Sequence, residues 1–309
     1  MKLAVAIATF RRPDSLAKLL SMLGDRAAEL PDNYETIAIV VDNDPDASAH
    51  SLVTQRAWGV TVRYVHEPRP GIAAARSRLL TEARDQQLLV FIDDDEWPLP
   101  GWLSELVGMW ERTGAAAVAG RVEAVLPEST DPWVAALGIF QRAQRTSGQP
   151  LPAAATNNLL LDLDQVRHFG ISFDLSLGLR GGEDTLFTRQ MVTKGGRIVA
   201  CPSSVVRDDL EPERVTPEFT RRRARYHGTT QADIDLRLAA TRLARLTSRL
   251  RSTAKGCVWI AVGWMRGARG VLRRSLVDRA WGTRHFERGL GLIQGAWGDP
   301  AGEYTRSEK

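Results

Sequence analysis

The stretch "LLVFIDDDEWP", residues 88–98, sets five apolar residues directly before three aspartates and a glutamate. Leu88 to Ile92 is predicted to be a short buried strand, since an unbroken apolar run of this length suits a strand covered on both faces. The carboxylates then sit at the strand's carboxyl end, where each raises the cost of ionising the next. A solvated acidic turn is one reading of such a cluster. The other is a divalent cation, whose charge turns the repulsion into attraction.

Before this strand, apolar runs alternate with helical patterns, as in a parallel sheet with helical crossovers. Lys2 to Ala8, Thr36 to Val41 and Val60 to Val65 are predicted strands. Helices are predicted from Pro13-Asp14 to about Leu30, and from Gly71 with Ile72, Ala75, Leu79 and Leu80 on the apolar side. Loops that follow such strands line the crevice where α/β folds bind ligands. After residue 100 the order changes. Trp102 to Trp110 reads as a helix, Ala116 to Val125 as a strand and Asn158 to Leu161 as a short strand. Asp184 to Lys194 reads as a helix closed by Gly195-Gly196, and Arg197 to Ala200 as a last short strand. Residues 126–152, punctuated by Pro and Gly, fit no element.

With 43% hydrophobic and 25% charged residues over 309 positions, the chain is globular rather than disordered, with room for one large domain and an appendage or for two domains. Cys201 and Cys257 lie far apart with no metal-type spacing, which suits a reducing cytosolic setting. No secretory leader is expected, because Arg11-Arg12 follows the mildly apolar Leu3 to Phe10 without a small-residue cleavage site. No run approaches the roughly 20 apolar residues of a membrane span. The net charge of +4 divides unevenly: from Arg221 onward there are 19 Lys/Arg against 7 Asp/Glu, and before it 22 against 30. An acidic body of −8 with a basic tail of +12 sets a boundary near residue 220.

Five segments at strand ends or loops occur in one order: "ATFRR" (8–12), "VVDND" (40–44), "EPRPGIAAARSRLL" (67–80), "FIDDDEWP" (91–98) and "GGEDTLF" (181–187). Together they resemble the inverting family 2 glycosyltransferases of the GT-A fold, over roughly residues 1–228, with "ISFDLSLGLRGGEDTLFTRQMVTKGGRIVACP" matching the run around the last motif. The fold expected is therefore α/β: a GT-A domain over 1–220, with a mostly parallel, Rossmann-like central sheet flanked by helices. Residues 1–100 would form its nucleotide-sugar half and 101–220 its acceptor half, before a mainly α-helical region over 221–309.

The resemblance implies a metal-dependent transfer from a nucleoside-diphosphate sugar to a hydroxyl of a glycan or lipid-linked glycan. Asp95 would be the main ligand of a Mn²⁺ or Mg²⁺ ion, both of which prefer oxygen, with Asp93 and Asp94 on ribose or metal. Asp42 would meet the nucleobase, Thr9 and Arg11 would frame base and ribose, and Arg76 would face the nucleotide. Asp184 would be the general base, with Glu183, Trp97, Asn157 and Asn158 bordering the acceptor. Plainer readings stand beside these. Asp42 is also a turn-former in "DNDPD", Arg76 a solvated helix charge, and Glu183-Asp184 a first helical turn. Two positions depart from the family pattern. Ser77 replaces the asparagine common after the arginine, and Asp208 stands where a histidine often precedes an arginine, here Arg214, by six residues. Either Asp208 serves as an oxygen ligand in the histidine's place or Arg207 meets the diphosphate directly.

Residues 216–309 read as amphipathic helices. Leu236, Ala239, Ala240, Leu243, Leu246 and Leu250 form one stripe, and Arg242, Arg245 and Arg249 its neighbouring face. Trp259 and Trp264 lie farther on among apolar residues flanked by Lys255 and Arg266. Such a tail suits an anionic membrane surface or packing, on the catalytic domain or in a homo-oligomer. With no binding motif beside the charge, nucleic acid is not an expected partner. The resemblance implies polysaccharide or cell-envelope glycan assembly, and with the tail the expected setting is cytoplasmic, peripheral on the inner face of the cell membrane. The alternatives are a nucleotidyltransferase, disfavoured because "ATFRRPDSL" lacks a glycine-rich loop, and a catalytically silent glycan-binding protein of the same fold. A phospho-acceptor receiver is disfavoured because Thr9-Phe10 stands where its acid pair would be.

Overall fold

Alternate residues of the first strand face opposite cores, as the two-residue period of a strand requires. In the computed structural model, which describes residues 1–178 and 180–298, β1 (Lys2–Thr9) sends Leu3, Val5 and Ile7 into one core and Ala4 and Ala6 into the other. The first core is closed by Leu16, Leu19, Leu20 and Leu23 of α1 (Pro13–Ala28) and by Trp102, Leu103 and Leu106 of α4 (Trp102–Thr113). The second is closed by Ala75 and Leu79 of α3 (Ile72–Glu82), Val166 of α6 (Leu163–Phe169), and Phe187 and Met191 of α7 (Glu183–Thr193). The short α2 (His50–Thr54) follows the second strand.

These helices cover an eight-stranded sheet of order β3-β2-β1-β4-β7-β6-β8-β5. The remaining strands are β2 (Glu35–Asp42), β3 (Thr61–His66), β4 (Leu88–Ile92), β5 (Glu96–Pro98), β6 (Ala117–Val125), β7 (Asn158–Asp162) and β8 (Ile198–Asp209). The first four strands run parallel, while β7 is antiparallel to β4 and β6, and β5 to β8. Thr9 pairs with Asp42 and Asp42 with His66, so β1, β2 and β3 end at one level. Because β1 is flanked by β2 on one side and β4 on the other, the chain reverses its direction of winding there. Open α/β sheets bind ligands at such a point.

Three elements differ from the sequence reading. The acidic stretch does not stay a loop, for Glu96 begins β5. The last strand runs to Asp209 rather than ending at Ala200, because its polar continuation pairs with β5 at the sheet's far edge. Within 126–152, Pro132–Leu137 forms α5, started by Asp131, whose side chain accepts a hydrogen bond from Trp133 N.

Packing divides the chain into two units. One takes in Met1–Glu123 and most of residues 142–208; the other takes in Ala124–Gln141 and the chain from Asp209 onward. The boundary drawn near residue 220 from charge falls inside α8 (Pro217–Arg237), since charge marks a surface and not the limits of a helix. In the second unit α8 is followed by α9 (Arg242–Leu272) and α10 (Leu276–Trp297). Thr216, Thr241 and Ser275 start the three helices, each side-chain oxygen accepting from a backbone N–H of the first turn. The α9–α10 seam is made by glycines seven residues apart. A Cβ on Gly263 would stand 2.7 Å from Gly282 O, and one on Gly256 2.8 Å from Gly289 O, so the backbones approach too closely for any larger residue. Among the described residues, no helix is long and apolar enough to cross a membrane.

Candidate active site

The acidic stretch folds back on the strand ends that precede it. Asp94, buried after β4, accepts hydrogen bonds from Thr9 Oγ1 at 2.7 Å and from Arg12 Nη1 at 3.2 Å. The same Arg12 nitrogen lies 2.6 Å from Asp95 Oδ2. Asp93 accepts from Arg76 Nη2 at 3.3 Å, and the other Arg76 terminal nitrogen is ion-paired with Glu183 Oε1 at the first turn of α7. Arg76 is buried and holds the end of β4 and the start of α7 in one network. Asp184, half-buried, follows Glu183 on that turn and accepts from Thr185 N and Thr185 Oγ1.

Beneath the aspartates lies Glu96, 1% exposed. Its Oε2 accepts from Asp93 N at 3.2 Å and its Oε1 from Asn157 Nδ2 at 2.8 Å. Six carboxyl groups thus gather around two guanidiniums, and the ionisation of Asp93, Asp94, Glu96 and Glu183 reflects it. Burial, reinforced by Asp95 and Asp184 and opposed by Arg76, raises Asp93. Burial pushes Asp94 up to about 6 against the pull of Arg12 and Thr9, and pushes Glu183 up to about 7 against the pull of Arg76. Glu96 is raised well above its ordinary range by burial first and by Asp93 next. Glu183 Oε2 is buried with no hydrogen-bond partner among the described residues.

The donor set can be tested against a divalent metal. Among the described residues no three His, Cys, Asp or Glu side chains form a metal-holding cluster, so Asp93, Asp95 and Asp208 do not make a three-carboxylate cage. Asp208 faces Glu96 in the β5–β8 register. A Mg²⁺ or Mn²⁺ ion shared with a diphosphate does not need such a cage, since one or two carboxylates, phosphate oxygens and water complete its sphere. Asp93 and Asp95 supply hard oxygens in a region of excess negative charge, and they fit.

The loop after β2 is held by its own polar side chains. Asp42 is fully buried and accepts from Asp44 N at 3.0 Å, Ala49 N at 2.8 Å and Tyr64 Oη at 3.1 Å. A carboxylate has about four acceptor positions, so one remains. Asn43 donates to Glu67 O at 2.8 Å and Arg69 O at 2.6 Å and accepts from Gly71 N at 3.0 Å. It thereby fixes the start of the helix that carries Arg76. Gly71 has φ +110°, and a Cβ there would stand 2.6 Å from the Gly178 backbone, so no other residue fits this turn. Arg11, at φ 54°, turns its guanidinium to Asp44 at 3.1 Å and Asp46 at 3.1 Å.

Two expected acceptor residues lie elsewhere in the fold. Trp97 packs on the core behind α1, with Lys18 Nζ 3.6 Å over its ring, because alternation along β5 turns it to the face opposite Glu96. Asn158 is buried, accepting from Trp102 Nε1 at 2.9 Å and donating to Arg121 O and Ser204 O, so it ties strands together. Sequence reasoning did not single out Arg12, Glu96 or Asn43. The signals were present: a second arginine in "TFRR", a fourth acid in "DDDE" and an amide in "VVDND".

A doubly covered sheet with an acid cluster at its switch point and a Glu-Asp helix start beside it defines a GT-A glycosyltransferase site. The chain belongs to glycosyl transferase family 2, whose model matches residues 4–165. It is 32% identical over 228 residues to the succinoglycan biosynthesis protein ExoM of Rhizobium meliloti (strain 1021), covering 73% of this chain and 72% of that one. Among solved structures, its fold is similar to the mannosyltransferase PcManGT from Pyrobaculum calidifontis, in complex with GDP-Man and Mn²⁺. That match has a TM-score of 0.63 at 15% identity, covering 96% of this chain and 87% of that one. It is also similar to S. aureus TarS 1-349 in complex with UDP-GlcNAc, with a TM-score of 0.54 at 15% identity over 94% of this chain and 90% of that one. The protein is a glycosyltransferase.

Proposed function

We propose that the protein transfers a sugar from a nucleoside-diphosphate donor to a glycan hydroxyl with inversion, using a divalent metal held by Asp93 and Asp95. The observation that carries this reading is the Arg76 bridge. It joins Asp93, on the proposed metal–diphosphate side, to the Glu183-Asp184 turn on the proposed acceptor side, so both halves of a transfer would share one site. A divalent metal held there by Asp93 and Asp95 would supply positive charge to the departing diphosphate. Asp184 removes the acceptor hydroxyl's proton as that oxygen attacks the anomeric carbon from the face opposite the diphosphate. The carbon–oxygen bond to the diphosphate breaks, the nucleoside diphosphate leaves with the electron pair, and the configuration inverts. Arg12 holds Asp94 and Asp95 in place, and Arg76 does the same for Asp93. The loop after β2, with Thr9 and Arg11, borders the nucleoside, and Asp42 offers its remaining acceptor position to the base. Asn157 and Glu183 border the acceptor.

Donors and metals bound by the structural neighbours, GDP-Man with Mn²⁺ and UDP-GlcNAc, support this donor class. The relative in succinoglycan biosynthesis supports polysaccharide assembly as the setting, and the acceptor proposed is a polysaccharide or lipid-linked glycan at the inner face of the cell membrane. Thermal-shift titration with UDP-, GDP- and dTDP-sugars, with Mn²⁺ or Mg²⁺, should show one donor stabilising the protein only when metal is present. Asp95→Ala should lose transfer and the metal-dependent part of nucleotide affinity. Normal turnover by this variant in chelator would refute the metal assignment.

A further inference from the structure

The longest helix of the second unit is packed inside out. Along α9, 31 residues and about 46 Å long at 1.5 Å per residue, the buried positions are Ser252, Gly256, Gly263 and Gly270. This small-residue side lies against α10. On the opposite side, sharing one face at 3.6 residues per turn, stand Leu243, Leu246, Leu250, Val258, Trp264 and Met265, all exposed, with Leu243 at 71% and Trp264 at 70%. An apolar stripe this long normally faces a core, and exposed patches of this kind mark an interaction surface.

The charges around the stripe name its partner. Within α9 there are seven Lys/Arg and no Asp/Glu. Arg266 and Arg269 turn to Asp278 of α10. Arg242 borders the stripe along one edge and Arg251 and Lys255 along the other, while Arg249 lies over the ring of Trp297 on α10. A second copy packed on this face by two-fold symmetry would bring two such cationic borders together, which is unfavourable in the centre of an interface. A helix with an outward apolar face, a tryptophan on it and cations at both edges is complementary to a bilayer surface, with the apolar groups at the acyl boundary and the guanidiniums among anionic headgroups. We infer that the outward face of α9 is a docking surface for an anionic lipid membrane, on which the helix lies in the plane of the interface without crossing it.

Flotation of the full-length protein with vesicles of phosphatidylcholine, with and without phosphatidylglycerol, tests this. The wild type should float with phosphatidylglycerol vesicles at least about tenfold better than with phosphatidylcholine alone, and less well as salt rises. Leu250→Ser/Trp264→Ser/Met265→Ser, which alters only exposed side chains, should lower the partitioning by about tenfold or more. Arg242→Gln/Arg251→Gln/Lys255→Gln should remove most of the preference for phosphatidylglycerol while circular dichroism stays that of the wild type. A wild type that ignores phosphatidylglycerol vesicles, or an apolar variant that floats as well as the wild type, overturns the inference. A wild-type dimer in solution that the apolar variant dissociates overturns it too, because the face then belongs to a second copy.

Discussion

Arg76 and Glu183 stand 107 residues apart in the chain and share a buried ion pair that fastens the first turn of α7 to the middle of α3. Glu183 keeps a second oxygen in the same buried place without a partner. One guanidinium, divided between Glu183 and Asp93, does not offset the burial of both carboxyls together with the charge of Asp184.

That imbalance has a sign. Burial raises Glu183 from an ordinary 4.5 to about 7, so the folded protein holds this proton where the unfolded chain has released it. Its contribution is present in full below pH 4.5 and is lost as pH rises through about 7. Glu183→Gln, which retains an acceptor for Arg76, should flatten that loss. Melting midpoints of wild type and variant, without ligand, should therefore diverge between pH 4.5 and 7, with the variant gaining on the wild type at the upper end. Parallel curves would show that Glu183 ionises as freely as in the unfolded chain.

Asp184→Asn keeps the shape and the Thr185 contacts while removing the ability to take a proton. Transfer should fall by about two to four orders of magnitude, the usual contribution of a positioned base, with donor affinity by calorimetry close to the wild type. Transfer near the wild-type rate would move the base elsewhere, and Glu183 with its unpartnered oxygen would be the first candidate.

Asn43→Ala removes three hydrogen bonds that join the loop after β2 to the turn before α3. Because two carbonyls and one N–H lose their partner in a buried place, the expected cost is about 2–4 kcal/mol in denaturant unfolding. Donor binding should weaken as well, since Gly71 N and the helix carrying Arg76 lose their anchor. An unchanged midpoint would mean that water replaces the amide.

The parts of the site that were legible are those in which chemical type and local spacing suffice. Asp93 to Asp95 follow an apolar strand, and Glu183-Asp184 follows a glycine pair at a helix start, so both could be placed from neighbours in sequence. Glu96 could not, because its burial depends on β5 pairing with β8 more than a hundred residues later. The surroundings of Asn158 were hidden for the same reason: its amide is enclosed by Trp102, Arg121 and Ser204, which only the folded sheet brings together. Trp97 was assigned by nearness in sequence to the acids, but alternation along a three-residue strand turns it away. Only Leu243, Leu246 and Leu250 of the α9 stripe were visible as a pattern, which the sequence reading ran back through Leu236, Ala239 and Ala240 although α8 ends at Arg237 and α9 starts at Arg242. The direction of the stripe was not visible, since periodicity says which residues share a face and not which way the face points.

The sheet order also has a consequence in time. On one edge β4 pairs with β1, already made; on the other it pairs with β7, whose first residue, Asn158, follows Ile92 by 66 residues. At a synthesis rate of about 5–20 residues per second, that edge waits several seconds for its neighbour. Throughout the wait, five consecutive apolar residues present open backbone hydrogen-bonding groups, a template for another chain's strand. Slower elongation lengthens this interval and crowding of nascent chains exploits it. Recovery of native protein from a cell is then governed by how soon the second half of the sheet arrives, a quantity that the stability of the finished molecule does not report.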